Sequence, residues 1–160
     1  MREYGTGNRR NVKLAPPVRC QCSSLGRSMD RSQPSKDFVT RVTATLSVRD
    51  WPRAMKFYRA AFDAEENYRV PGGGVGRLSV GGAEFWVAEE SKPHLNFSPE
   101  TLGGCSVRML LIVADPERVC RQAVAAGARQ VVPVADEHGW KLGRIADPFG
   151  HHWEIGRPME

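Results

Sequence analysis

The chain has 160 residues, 41% of them hydrophobic, which is enough for one domain with a sizeable core. Its formal net charge is +5, but residues 1–36 alone carry +6, from eight Lys/Arg and two acidic residues. Residues 37–160 hold 15 Lys/Arg and 16 acidic residues, a net of −1. The body therefore lacks the basic stripe with stacking aromatics that is typical of nucleic-acid-binding surfaces, and we expect no nucleic-acid partner.

Residues 1–37 are rich in Arg, Ser, Gly and Pro and lack hydrophobic periodicity, which predicts a disordered basic tail. Organelle transit peptides are also rich in Arg, and targeting by this tail stays an alternative, although Pro16-Pro17 would break an amphipathic helix. The sequence has no apolar run suited to a signal peptide or a membrane span, so we expect a cytoplasmic protein without membrane contact. We also expect Met29 to be the true start of the protein.

The body begins near residue 38 with a strand followed by a helix. Apolar and hydroxyl residues alternate over 40–48, which predicts a half-buried strand. The residues predicted to face its core are Val42, Ala44, Leu46 and Val48. Asp50 is a natural N-cap, and Pro52 lies in the first turn, where its missing N–H is harmless. Apolar residues then recur at helical spacing from Ala54 and predict an amphipathic helix.

Three further strands complete this first unit, since short apolar runs alternate with turn residues. They are predicted at 68–70, 78–80 and 83–88. A glycine loop at 71–76 lacks the spacing of a nucleotide-binding loop, so we interpret it as a mobile loop over a cavity or as a loose hairpin. Residues 89–104 are predicted to form an irregular linker, because they contain several Pro and Gly residues.

The second unit follows the same order. A strand at 107–113 leads to Asp115 as N-cap and Pro116 at the first helical position. The helix is predicted to run to Gly127, a suitable residue just past a helix end. Its remaining strands are predicted at 130–134, 141–146 and 151–156. Pro133 interrupts the first of these strands and therefore predicts an edge position.

The two units are copies of each other at an offset of 65 residues, which places Asp50 on Asp115. The same offset matches Val42 with Val107, Leu46 with Leu111, Val48 with Val113, Arg53 with Arg118 and Ala60 with Ala125. After small loop insertions, Gly76-Arg77 also matches Gly143-Arg144. A repeat longer than about 50 residues indicates two copies of a half-domain rather than a solenoid. We therefore predict an α+β fold with the order β-α-β-β-β, twice.

Several motifs in this duplicated frame resemble the vicinal oxygen chelate superfamily, which includes glyoxalase I, extradiol dioxygenases and bleomycin-resistance proteins. They are Phe57-Tyr58, Ala125-Ala126-Gly127-Ala128 and Asp147-Pro148-Phe149-Gly150 followed by Trp153. A closer similarity to the PhnB-like branch rests on Tyr68-Arg69-Val70-Pro71-Gly72 and Ser98-Pro99-Glu100. The resemblance implies one domain at 38–160, made of modules at about 38–90 and 105–160. It further implies curved half-barrel sheets around a cavity, and a homodimer.

In metal-using members of the superfamily, the first and fourth strands of each copy supply one ligand each. The positions that match them here are Thr43, Trp86, Arg108 and Glu154. Only Glu154 is a good ligand for a divalent metal, whereas zinc or iron needs at least three His, Cys or carboxylate ligands. We therefore expect no cofactor and no metal residues. A divalent metal at a shifted site that includes His152 stays an alternative, although its ligand set is incomplete.

Alternation along the strands places polar residues on one face of each sheet and apolar residues on the other. The ligand-binding candidates on the polar face are Thr43, Thr45, Arg77, Trp86, Arg108, His152 and Glu154. The residues predicted to pack under the helices are Val42, Leu46, Leu78, Phe85, Val107, Leu111 and Trp153. If the polar faces enclose a cavity, Arg108 and Glu154 are expected to pair across it. The alternative is that the polar face is simply solvated.

Two functions follow from this arrangement. The first is metal-independent binding of a small molecule, of the sequestration or resistance type, with Trp86 stacking on the ligand and Arg108 and Glu154 fixing its orientation. The second is a lyase or isomerase that uses Glu154 as catalytic base, or a shifted metal site. A neighbouring Arg108 would stabilise the ionised carboxylate and weaken it as a base, which favours binding.

Overall fold

A computed structural model describes residues 39–159. The predicted disordered tail at 1–37 and the expected start at Met29 lie outside the described residues. The first unit consists of β1 (Thr45–Val48), α1 (Trp51–Phe62), β2 (Glu65–Arg69), β3 (Val75–Val80) and β4 (Ala83–Glu89). The linker holds a 3₁₀ turn (Lys92–His94) and the short helix α2 (Pro99–Leu102). The second unit consists of β5 (Arg108–Ile112), α3 (Pro116–Ala125), β6 (Arg129–Glu137), β7 (Trp140–Ala146) and β8 (His152–Pro158).

The strands form two four-stranded sheets of identical topology, which confirms the predicted duplicated α+β fold. The first sheet has the order β1-β4-β3-β2 and the second the order β5-β8-β7-β6. In each sheet the first and fourth strands of the unit pair in parallel, and the other neighbours are antiparallel. The strands that the family resemblance singles out are therefore adjacent within each sheet.

Both main helices begin at the predicted caps. The Asp50 side chain accepts a hydrogen bond from Arg53 N at 3.0 Å, and the Asp115 side chain accepts one from Arg118 N at 2.9 Å. Each cap satisfies a backbone donor that the first helical turn leaves without a partner. The agreement between the two caps confirms the offset that relates the two units.

The apolar faces of the helices pack on the sheets in one continuous core. Aromatic contacts join the two units, with 4.7 Å between the ring centroids of Phe62 in α1 and Trp153 in β8, and 5.4 Å between those of Phe85 and Trp153. Leu46, Leu78, Phe85, Leu111 and Trp153 are buried, as strand alternation predicts. The opposite faces of the sheets are consequently free to carry polar side chains.

Two residues predicted for the core are exposed instead, and these predictions were wrong. Val42 is 101% exposed, and Val107 is also exposed. Both precede their strands, because β1 begins only at Thr45 and β5 only at Arg108. Alternation decides the direction of a side chain only inside a ladder, so it does not hold for residues that lead into a strand.

Two strands at the sheet edges are longer than predicted. β2 includes the polar residues Glu65 and Glu66, and it is exposed along most of its length. β6 runs through Pro133 with register shifts on both sides of Val132, which allow an edge strand to accommodate a residue without a backbone N–H. Within residues 39–159, no helix is long and apolar enough to cross a membrane.

Candidate functional site

The polar face of the second sheet holds an ion pair. Arg108 Nε lies 3.1 Å from Glu154 Oε1, and the two side chains are 58% and 24% exposed. Arg108 is in β5 and Glu154 is in the neighbouring strand β8, so they pair along one sheet and not across a cavity between the two units. Arg108 and Glu154 therefore pair as predicted, but between adjacent strands of one sheet. The two residues share a face because alternation in both strands directs them away from the helices.

This ion pair lines an open pocket of about 600 Å³ on the sheet face, and we call it the second-sheet site. Its lining residues are Cys105, Ser106, Arg108, Arg144, His152 and Glu154. Arg144 in β7 lies directly opposite Glu154 in the ladder, and His152 lies beside Arg108 in the parallel ladder. Three adjacent strands therefore direct two guanidinium groups, one carboxylate and one imidazole into the same space.

Arg144 is the residue that sequence reasoning missed. Its Nε atom is enclosed, and it has no hydrogen-bond partner within residues 39–159. The preceding Gly143 lets β6 lie close, because a Cβ atom there would stand 2.7 Å from Val134 Cγ2. The match between Gly76-Arg77 and Gly143-Arg144 was the signal that could have found it.

The equivalent face of the first sheet has a different chemistry. The Arg77 guanidinium lies 5.7 Å from the ring centroid of Trp86, and the ring centroids of Tyr68 and Trp86 are 5.8 Å apart. Arg77 Nε is 3.5 Å from Glu84 Oε1, although the geometry does not make a hydrogen bond. Thr43 Oγ1 donates to the backbone oxygen of Glu84 at 2.8 Å. This first-sheet face therefore combines aromatic rings with an arginine that its own glutamate partly neutralises.

The candidate ligand-binding residues fall into two groups. Arg108, His152 and Glu154 line the second-sheet site. Thr45, Arg77 and Trp86 lie in the first sheet, where Thr45 is opposite Trp86 in the ladder, and Thr43 precedes β1 instead of lying in the first strand as expected. The contacts that the structure shows for these seven side chains within residues 39–159 stay inside one sheet. Trp86 and Arg108 lie in different sheets, so the prediction that each contacts a ligand has to be tested for each residue separately.

The donor set does not fit a metal ion. No group of three or more His, Cys, Asp and Glu side chains within residues 39–159 is arranged to hold one. Glu154, the one good ligand among the four matched positions, already faces Arg108. Two guanidinium groups beside this carboxylate would also repel a divalent cation.

Asp147 is a second residue whose role sequence reasoning underestimated. Its side chain is 5% exposed and accepts four hydrogen bonds, from Tyr58 Oη at 2.7 Å, Trp153 Nε1 at 3.1 Å, and the backbone N–H groups of Phe149 and His151. Burial, and then the negative charge of Asp147, raise the pKa of Tyr58 well above its ordinary value. This hub ties α1 to the start of β8 and so holds the strand that presents His152 and Glu154.

Comparison with known proteins places this geometry in a family. A family model described as a glyoxalase-like domain matches residues 43–156. The chain belongs to this glyoxalase-like family. It is also 37% identical over 123 residues to an uncharacterized protein of Mycobacterium bovis, covering 71% of this chain and 80% of that protein.

Solved structures with the same glyoxalase-like fold agree with this assignment. A gene product of Arabidopsis thaliana matches with a TM-score of 0.60 and 28% identity, over 75% of this chain and 100% of that one. A glyoxalase-related enzyme from Fulvimarina pelagi matches with a TM-score of 0.58 and 25% identity, over 74% and 88% of the two chains. A glyoxalase/bleomycin resistance protein/dioxygenase family enzyme from Burkholderia phytofirmans, at 17% identity and a TM-score of 0.58 over 73% and 98%, shares the fold. The vicinal oxygen chelate fold expected from the motifs is thereby confirmed.

Proposed function

We propose that this glyoxalase-like protein binds a small molecule that carries an acidic group, and that the second-sheet site holds this ligand without a metal. The observation that carries the proposal is that the Arg144 guanidinium lines this site and has no hydrogen bond or ion pair within residues 39–159, whereas Arg77 and Arg108 each face a glutamate. The enclosed Nε atom itself leaves no room for a ligand, so a carboxylate or phosphonate oxygen would accept from the terminal nitrogens of this guanidinium. Such an oxygen would also make a charge-assisted hydrogen bond with the guanidinium.

The charge of the site supports a ligand with a single negative charge. Arg108 and Arg144 contribute two positive charges, while Glu154 contributes one negative charge through its contact with Arg108. One positive charge remains when His152 is neutral. Glu154 contacts the Arg108 guanidinium from β8, and β8 lies between the strands of Arg108 and Arg144, so the two arginines can address one anionic group from either side of that strand.

An enzymatic function with Glu154 as general base is the second candidate. Its support is that Glu154 lines a pocket large enough for a substrate, and that one of the similar solved structures is a glyoxalase-related enzyme. The contact with Arg108 opposes it, because the Arg108 guanidinium, 3.1 Å away, already occupies the carboxylate oxygen that would have to face a substrate. Substitution Glu154→Gln separates the two, since a base would lose turnover while ligand affinity stays, whereas an orienting residue would change affinity.

We also propose that a second copy of the chain covers the polar sheet faces, as the resemblance to the vicinal oxygen chelate superfamily implies. Leu110 and Ile112 in β5 are exposed on the same side of the strand as Arg108. Apolar side chains beside a charged site are typical of a face that a partner covers. A homodimer would then exclude water from the second-sheet site and strengthen its electrostatic interactions.

Calorimetric titration with phenylphosphonate and with benzylamine tests the proposed function. The two probes share a phenyl ring and differ in the sign of their charge. We expect saturable binding of phenylphosphonate alone, with the same affinity before and after treatment of the protein with EDTA. Arg108→Ala should weaken this binding by about 1.5–3 kcal/mol for a charge-assisted contact, near the lower end because the side chain is more than half exposed. Binding that appears only after zinc or manganese is added would contradict the proposal.

A further inference from the structure

A second cavity lies between the two sheets, where the edge strands β1 and β5 leave a gap. Its volume is about 390 Å³, within the range of about 300–1,000 Å³ that is common for small-molecule sites. Leu46 lines it from β1, Met109 from β5, and Phe97 from the linker. Cys105 and Ser106 border both this between-sheet cavity and the second-sheet site, but neither Arg108 nor Glu154 lines it.

The lining is apolar apart from a few groups, and one of those is a buried histidine. His151 is 8% exposed and lines the cavity. Its Nε2 atom lies 2.9 Å from the backbone oxygen of Ser47. A carbonyl oxygen only accepts, so Nε2 is the nitrogen that carries the hydrogen, and Nδ1 of the neutral ring is an acceptor. Within residues 39–159, Nδ1 has no hydrogen-bond partner, and the other polar side chains of the lining belong to Thr45, Ser47, Cys105 and Ser106.

We infer that the between-sheet cavity is a second ligand site, which takes a small aromatic compound with one hydroxyl or N–H donor. The donor would bond to His151 Nδ1, and the ring would lie against Phe97 and Met109, whose thioether adapts well to aromatic surfaces. The exposed side chains of Leu102 and Val107 at the cavity mouth would be covered by the bound ring. The ligand of this cavity would be uncharged, whereas the second-sheet site would take an anion. The inference does not depend on the proposed function.

Methyl NMR of the full chain tests this inference, with 2-naphthol as the probe and 2-methoxynaphthalene as its matched compound without a donor. The Met109 methyl group reports on the cavity, and Met55, which is buried in the core away from the cavity lining, serves as the control for an intact fold. We expect 2-naphthol to shift the Met109 signal saturably and to bind at least tenfold more tightly than 2-methoxynaphthalene. Absence of saturation, or equal affinity of the two compounds, would overturn the inference.

Two substitutions make the test specific to the cavity. Ala44→Trp fills it from the residue that precedes β1, while the backbone oxygen of Ala44 keeps its hydrogen bond from Trp86 N at 2.8 Å. It should abolish the Met109 shift, and unchanged affinity would place the probe elsewhere and refute the site. His151→Phe should remove the difference between the two compounds. If Ala44→Trp does not fold, as judged by the Met55 signal, Leu102→Trp at the exposed mouth provides the same block.

Discussion

Replacing Asp147 by Asn should destabilise the protein strongly, although the side chain keeps its shape. Asn retains one oxygen for the backbone N–H groups of Phe149 and His151, but its amide nitrogen would then face Tyr58 Oη and Trp153 Nε1. The indole N–H has no other role than donor, so it would lose its acceptor inside the core. An unsatisfied buried donor costs about 1–3 kcal/mol, and the loss of a charge-assisted bond from the tyrosine adds about 1.5–3 kcal/mol.

The expected decrease in the free energy of unfolding is therefore about 2.5–6 kcal/mol, measured by urea denaturation at pH 7. Tyr58→Phe is the matched control, because it removes one hydroxyl and leaves Asp147 bonded to Trp153. It should cost less than Asp147→Asn, at about 1.5–3 kcal/mol. If Asp147→Asn costs no more than Tyr58→Phe, the hub does not bear on stability as argued.

Three further predictions concern pH, thiol reactivity and assembly. Hydrogen bonds from the Ser98 and Thr101 hydroxyls and from Ser98 N, with Arg49 nearby, lower the pKa of Glu90 from 4.5 to about 2. Because the pKa of Glu90 is lowered in the folded protein, the stabilisation from ionised Glu90 is complete above pH 4.5 and is lost as the pH falls toward 2. Glu90→Gln should remove this part of the acid sensitivity. Identical acid unfolding of the wild-type protein and the variant would contradict this prediction. Burial, and then the negative charge of Glu117, raise the pKa of Cys120 to about 11. Iodoacetamide at pH 8 should therefore label the part-exposed Cys105 at least tenfold faster than Cys120, as measured by peptide mass spectrometry. Equal labelling rates would refute this prediction. Sedimentation velocity should show that the wild-type protein is a dimer. Ile112→Glu should dissociate this dimer, whereas Leu95→Glu, a control at another exposed position, should not. Wild-type protein at monomer mass would contradict the homodimer.

The main elements followed from local signals in the sequence. The Asp50 and Asp115 caps, and the alternation of Trp153 with its polar neighbours His152 and Glu154, were sufficient because each signal acts within one turn or one strand. β2 was predicted too short because an edge strand exposed on both faces needs no apolar residues. The exposure of Val42 was missed because it depends on where the ladder begins.

The site was less predictable than the fold, since its chemistry depends on which strands lie side by side. Arg108 and Glu154 were expected to pair, and the parallel ladder of β5 and β8 brings them together. Arg144 was not predicted, because its importance depends on the lack of a hydrogen-bond partner within residues 39–159, and the spacing of residues in the sequence does not show this property. The same holds for Asp147, which has the sequence pattern of a turn residue and the environment of a core residue.

The most direct test of the central claim compares two equivalent arginines. Arg144→Gln removes from the second-sheet site a guanidinium that has no partner within residues 39–159. Arg77→Gln removes its counterpart in the first sheet, whose Nε also lacks a hydrogen bond but lies 3.5 Å from Glu84 Oε1. In calorimetric titration of the EDTA-treated protein with phenylphosphonate, Arg144→Gln should lower affinity by about 10- to 150-fold, the equivalent of one charge-assisted hydrogen bond. Arg77→Gln should change affinity by less than about threefold, since an interaction remote from the ligand contributes little. Equal losses in both variants, or no loss in Arg144→Gln, would contradict the account.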